Sequence, residues 1–167
     1  LERAYFAKEA GATALSVAPG LVGAGWLHKL ATDEKLCLPI IHHPAYSGGF
    51  VSPGVSGIAD YLQLGFLPRL FGADMMVFVS YGGRFTFTQE QCKRIAAYIK
   101  HPVGLVKAGC PAPGGGVTDA CLTELVELYG NDTMFLVGGD MFRRGPDLES
   151  NMAYFVNRLE ELSQLKQ

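Results

Sequence analysis

Short apolar runs alternate along this chain with stretches whose apolar residues recur every three or four positions. Residues 13–18, 37–43, 75–79, 103–108 and 134–137 are apolar with little alternation, which is how strands covered on both faces read. Between them, helical spacing predicts helices over 22–31, 58–71, 89–100 and 118–129, with a last helix over 148–165 and a first over 1–10 that ends at Gly11. Trp26 and Leu27 are expected on the buried side of the second of these helices. Thr88 with Gln91 predicts a capping box for the clearest amphipathic helix, Thr118 and Gly130 bracket the next one, and Pro68 interrupts or bends 58–71. The strand–helix cycle recurs about every 30 residues, as βα units require. The fold class is therefore α/β, with five parallel strands each followed by a helix.

The turns from helix to strand are terse: Gly11-Ala12, Gly72-Ala73, Gly130-Asn131. The segments after strands are longer and carry His, Tyr, Arg and Gly. Ligands bind at that carboxyl end in parallel α/β folds. Two glycine clusters stand out there, Gly114-Gly115-Gly116 and Gly138-Gly139, each after an expected strand. A phosphate dianion needs converging N–H donors and a close backbone approach, and glycine permits both. The helix opening near Thr118 would add the positive end of its dipole. Tight turns after strands are the plainer reading of the same glycines.

Composition bounds these ideas. The chain has 167 residues, 49% hydrophobic and 18% charged, enough for one core. A complete (β/α)8 barrel takes roughly 250 residues, so the chain is either another α/β fold or part of a barrel. Net charge is −2 with scattered Lys and Arg, which disfavours a nucleic-acid partner. No apolar run reaches the length of a membrane span. The N-terminus has no methionine and no signal pattern, and reads as if cut from a longer chain; the compartment stays open between cytoplasm and plastid. Cys37, Cys92, Cys110 and Cys121 lie far apart without CxxC spacing, which argues for reduced thiols.

Four segments together resemble one family: 38–50 (LPIIHHPAYSGGF), 71–88 (FGADMMVFVSYGGRFTFT), 110–118 (CPAPGGGVT) and 132–142 (DTMFLVGGDMF). In order and spacing they resemble the C-terminal catalytic barrel of the RuBisCO large-chain superfamily, closer to the RuBisCO-like proteins than to the carboxylating enzymes. The resemblance implies residues 1–167 of a partial (β/α)8 barrel, about strands four to eight, with strands one to three and an N-terminal domain absent. It implies a parent enzyme of lyase or isomerase type that uses Mg2+ to enolise a phosphorylated sugar-like ketone, followed by isomerisation, carboxylation or C–C cleavage. It also implies a homodimer or larger assembly. The metal ligands would lie before Leu1, which would leave the chain as given inactive.

Residue by residue, the resemblance assigns phosphate binding to Gly114, Gly115, Gly116, Gly138 and Gly139, with Asp140 where the family often has a third glycine; a carboxylate there would repel a phosphate. His43 matches an active-site histidine, whereas Pro44 replaces the arginine that grips a second phosphate in carboxylating members. Adjacent strand residues face opposite ways, and His42 reads as a packing histidine. Arg84, in the glycine loop after the strand ending at Val79, stands where the carboxylating enzymes place a catalytic lysine; a cation at the tip of a mobile loop suits a lid over an anion. Lys107 is a weaker candidate beside the rim. Two other readings stay open: a non-catalytic truncated piece or interaction module that exposes an apolar edge, and an unrelated phosphate-binding barrel sharing only its last two strands.

Overall fold

The computed structural model describes residues 1–51, 57–83 and 85–164. The chain divides into two compact units, one made of Leu1–Phe78 with Arg94–Pro111 and the other of Val79–Lys93 with Ala112–Gln167. A four-stranded sheet runs in the order β1 (Leu15–Val17), β2 (Ile40–His42), β3 (Met75–Val79), β4 (Cys110–Gly114). β1 pairs parallel to β2 with Leu15 opposite Ile40, and β2 pairs parallel to β3 with Ile41 opposite Met75. Sequence order equals spatial order, so every connection is a crossover of the same sense, as in a barrel wall.

In the first unit, α1 (Glu2–Glu9) lies on the surface, tied down by Lys8 Nζ donating to the carbonyls of Lys35 and Leu36 at 2.6 and 2.7 Å. The expected helix over 22–31 is split: α2 (Pro19–Val22) ends at Gly23, whose φ of 90° breaks the spiral before α3 (Ala24–Ala31). Leu27 is buried with Leu36, Ile40, Met76, Ile95 and Ile99, but Trp26 is 47% exposed, so only one of the two expected core residues packs inward. A short α4 (Gly48–Val51) precedes the next helical stretch.

That stretch is bent, as Pro68 predicts. Residues Leu62–Phe66 form a π turn in which Leu67 N–H reaches the Leu62 carbonyl, and α5 (Leu67–Leu70) follows. Proline supplies no N–H and its ring displaces the carbonyl four residues back, so the ladder widens before it. Gly65 lets this turn approach α6 (Gln89–Lys100): a Cβ there would stand 3.1 Å from the Ile95 carbonyl oxygen. Arg69 is then buried to 3% exposure, with no carboxylate of the described residues on it. Its guanidinium donates to the carbonyls of Tyr98, His101 and Lys107 at 2.7, 2.6 and 2.7 Å, with Val106 at 3.4 Å. The cation thus closes the frayed end of α6, where the helix dipole is negative. Burial lowers its pKa from the ordinary arginine value. The Thr88–Gln91 capping box opens α6 as expected, with bonds of 3.2 and 2.9 Å.

Two strand expectations fail. Residues 103–108 form a turn, with Val103 and Val106 bridged antiparallel and Gly104 at φ 56°. The strand is β4 instead, disguised by Pro111 and Pro113. Even-numbered residues of β4 serve β3, as Cys110 N–H to the Asp74 carbonyl (2.9 Å) and Gly114 accepting from Ser80 N–H (2.7 Å) attest. The two prolines fall on the opposite edge, where they remove the donors a further strand would need. Residues 134–137 therefore do not register as a strand; Leu136 N–H to the Pro113 carbonyl, 3.0 Å, is the bond that holds them alongside.

In the second unit α7 (Asp119–Tyr129) packs against α9 (Leu148–Gln164), burying Leu122, Leu125, Val126, Phe155 and Leu162. Between them in the chain lies α8 (Gly138–Arg143), a helix that the hydrophobic pattern does not predict. Replacing Arg69 with Met should lower the unfolding free energy by about 3 kcal/mol, because a buried charge-assisted network loses its donor and its carbonyls stay buried. Urea unfolding followed by circular dichroism reads this; a loss under 1 kcal/mol would show the clamp to be dispensable.

Candidate functional site

The loop that leaves β3 and the loop that leaves β4 touch backbone to backbone in the second unit. A Cβ added to Gly83 would fall inside the Gly115 carbonyl oxygen and 3.0 Å from Gly116 Cα. One added to Gly116 would stand 3.0 Å from Gly83 N and 3.2 Å from the Tyr81 carbonyl oxygen. Gly115 also needs its φ of 74°, which side chains rarely adopt. Gly114 faces Leu136, whose Cβ and Cδ1 lie 3.2 Å from the position of a Cβ. Glycine is thus required for closeness at 83 and 116, and for conformation at 115.

Side chains hold these loops from outside. Tyr81 donates to Glu124 Oε1 on α7 at 2.6 Å, and Gln89 Nε2 donates to both, at 3.3 and 2.9 Å. Burial first, then Glu124, raises the Tyr81 pKa, so the phenol stays a donor near neutral pH. Cys121 takes the N3 place of a capping box: its Sγ accepts from Thr118 N–H at 3.2 Å and donates to the Gly116 carbonyl at 3.4 Å. The sequence offered Thr118 as a cap but gave no sign that a thiol would complete it.

Gly138 and Gly139 are the first two residues of α8 and are exposed. Among the described residues no heavy atom comes within 4 Å of a Cβ on Gly138, and Arg143 Nη1 is 4.0 Å from one on Gly139. Their N–H groups belong to a first turn, which has no intrahelical acceptor. Asp140 turns away from them. Its Oδ2 accepts from Asp119 N–H at 2.8 Å, and its Oδ1 accepts from Arg143 Nη2 at 3.0 Å. The Asp119 amide, then the salt-bridged Arg143, hold the Asp140 carboxyl below the ordinary aspartate pKa. Two expectations change accordingly. Asp140 is committed to internal partners, and the first amide of α7 is committed to Asp140 instead of a ligand.

Both glycine clusters thus fall in the second unit and are linked through Pro113–Leu136 and Asp119–Asp140. His43 belongs to the first unit, exposed just beyond β2, with its Nδ1 accepting from Ala45 N–H at 3.2 Å. That bond places the proton of the neutral ring on Nε2. His42 points the other way and is 1% exposed, as a packing histidine should be. Lys107 is exposed at the start of β4, the end opposite the glycines, because β4 begins later than expected; it is not a rim residue. Arg84 lies outside the described residues.

Among the described residues, no three His, Cys, Asp or Glu side chains gather as a metal site would need. Magnesium takes hard oxygen ligands in near-octahedral array, and this chain's own described residues do not fit it. Among them, too, no helix is long and apolar enough to cross a membrane.

No family model matches the chain. It is 34% identical over 146 residues to RuBisCO-like protein 1 of Rhodopseudomonas palustris, covering 87% of this chain and 38% of that protein. It is 35% identical to the 2,3-diketo-5-methylthiopentyl-1-phosphate enolase of Exiguobacterium sibiricum, covering 78% of this chain and 33% of the relative. A solved RuBisCO-like protein from Rhodopseudomonas palustris superposes over 96% of this chain and 41% of its own, with TM-score 0.81 and 32% identity. The chain belongs to the RuBisCO-like superfamily. Its fold is α/β and forms part of a (β/α)8 barrel. It spans less than two fifths of the length of the curated relatives it matches, and an unrelated barrel sharing only two strands is set aside.

Two outcomes follow. Gly83→Ala should cost about 2 kcal/mol of stability, since its Cβ meets backbone that cannot yield without shifting a loop; unchanged thermal unfolding would contradict the contact. His42, held neutral by burial with the adjacent His43 adding to the effect, has its pKa lowered from 6.5 to about 4. Unfolding exposes a histidine that protonates near pH 6.5 while the native one does not, so stability is full above 6.5 and falls as pH drops toward 4. The loss attributable to His42 should reach about 3 kcal/mol at the lower limit. His42→Leu should flatten that slope in denaturant titrations at several pH values.

Proposed function

We propose that this chain is the phosphate-gripping part of a RuBisCO-like enzyme that enolises a phosphorylated sugar-like ketone. The observation that carries the reading is the glycine contact at 83, 115 and 116 beside the uncovered pair at 138 and 139. Backbone N–H groups there can approach an oxyanion as no residue with a side chain allows. The named relatives add the chemical class, since the Exiguobacterium protein is an enolase of a 1-phosphate.

In this reading the amides of Gly114, Gly115, Gly116, Gly138 and Gly139 hold one phosphate and so orient the carbonyl carbons of the ligand. His43, with its proton on Nε2, is a donor or proton-transfer group, and Arg84 is a lid cation. Pro44 offers no charge for a second phosphate, and the loop 80–88 has no lysine, so the substrate is a monophosphate and the parent does not carboxylate. Bound Mg2+ would stabilise an enediolate, but no residue described in this chain holds it. The parent works as a homodimer or larger assembly, without nucleic acid or membrane, in the cytoplasm.

A second reading, a piece that needs a partner and has no activity alone, is favoured by one feature. The free edge of β1 opens on an apolar groove of about 550 Å³ lined by Leu1, Leu15, Val17, Leu21, Val22 and Trp26. Inorganic phosphate titrated into the full chain separates the two. At a hundredfold excess over Kd, binding should add about 2.7 kcal/mol of stability, several degrees in Tm. Gly138→Val should fold normally, since its Cβ meets nothing, yet lose most of that shift. A well-folded wild type whose Tm ignores phosphate would retire the grip.

A further inference from the structure

We propose that Tyr46 contacts the ligand beside His43, its hydroxyl donating to the carbonyl oxygen on which charge grows during enolisation. The inference deepens the functional reading above and rests on it for the class of the ligand. It begins from a strained residue in the first unit. Ser47 N–H donates to the Pro44 carbonyl at 3.0 Å, which closes a β-turn just after β2. Tyr46, the third residue of that turn, has φ 63°, and it alone of the four is at positive φ. This is the pattern of a type II turn, whose third position calls for glycine or asparagine. A bulky residue there is a genuine outlier, because its Cβ crowds the following carbonyl oxygen.

Packing does not explain the choice. Tyr46 is 77% exposed, so burial of its ring does little to offset the strain. Nor is the turn free to relax. A Cβ on Gly20, in α2, would fall on the Ala45 carbonyl oxygen and 3.0 Å from Tyr46 Cβ, so the two backbones are in contact there. Ser47, the next residue, is buried to 2% exposure. The turn is held in place while its most strained residue faces water. Strain that packing does not offset is characteristic of functional sites.

The role follows from the place. His43 precedes the turn, and its Nδ1 accepts from Ala45 N–H at 3.2 Å, which leaves Nε2 as the donor of the neutral ring. Among the described residues nothing accepts from that Nε2–H or from the Tyr46 hydroxyl. One short segment at the carboxyl end of β2 thus carries two neutral donors without acceptors. An enolate oxygen gains negative charge as it forms, and fixed neutral donors stabilise it more than they stabilise the ketone. Pro44 adds no charge to the segment, so it suits the carbonyl end of a ligand.

The test is a titration of the full chain with hydroxyacetone phosphate and with propyl phosphate, which lacks the carbonyl, read by calorimetry and by NMR of the His43 ring. The ketone should bind about fivefold tighter, and Tyr46→Phe should remove most of that preference while leaving propyl phosphate as it was. Tyr46→Asn accepts the turn geometry, so it should lose the preference and yet raise Tm by about 2 °C. An unchanged preference in Tyr46→Phe, or a Tyr46→Asn chain that melts below wild type, would overturn the proposal. A wild type that binds both esters equally overturns it too and leaves the phosphate reading standing, whereas one that binds neither overturns both.

Discussion

Everything at the candidate site depends on two loops that approach each other without side chains between them. Gly83 against Gly115 and Gly116 is a contact of main chain on main chain. Such a contact contributes little apolar burial, so something else must hold it. The holders are lateral: Tyr81 to Glu124 on one side, the Cys121 thiol on the Gly116 carbonyl on the other, and Ser80 N–H on the Gly114 carbonyl beneath. Each of these acts from outside the contact between the loops. Local order is thereby obtained by side chains that flank the contact and do not enter it.

The helices were legible in the sequence where a cap or a breaker has one physical meaning. Thr88 with Gln91, Thr118, Gly130 and Pro68 each set a boundary that the structure keeps or bends as expected. The strands were less so. The apolar run at 103–108 satisfies strand composition but contains Gly104, and turns there, while β4 hides behind two prolines that are harmless only because both lie on one edge. That distinction depends on which neighbour the edge faces, which local pattern does not encode. Trp26 was misassigned for a related reason: the break at Gly23 rotates the face that α3 presents.

At the candidate site the glycine clusters were legible in the sequence, but the partners of the charges around them were not. Asp140 looks like a liability in a linear string, and its bond to an amide twenty-one positions earlier is visible only in three dimensions. Arg69 gave no signal either, since nothing in its neighbourhood along the chain announces a cluster of carbonyls some thirty residues away. The family resemblance located the segments; the partners of each side chain came from packing alone. Membership in the RuBisCO-like superfamily then sets the frame in which those partners are read, over a segment less than two fifths as long as its curated relatives.

The prolines of β4 have an effect that extends past their own strand. With its amide donors removed from that edge, the sheet hands the last segment over to side chains: Asp140 on Asp119, and Asn151 bridging the carbonyls of Met141 and Gly145 at 3.0 and 2.9 Å. Position is thus encoded in a few side chains and hardly at all in a ladder of backbone bonds. Single substitutions at 140 or 151 would therefore loosen the last segment while leaving the hydrogen bonds of the four-stranded sheet as they are.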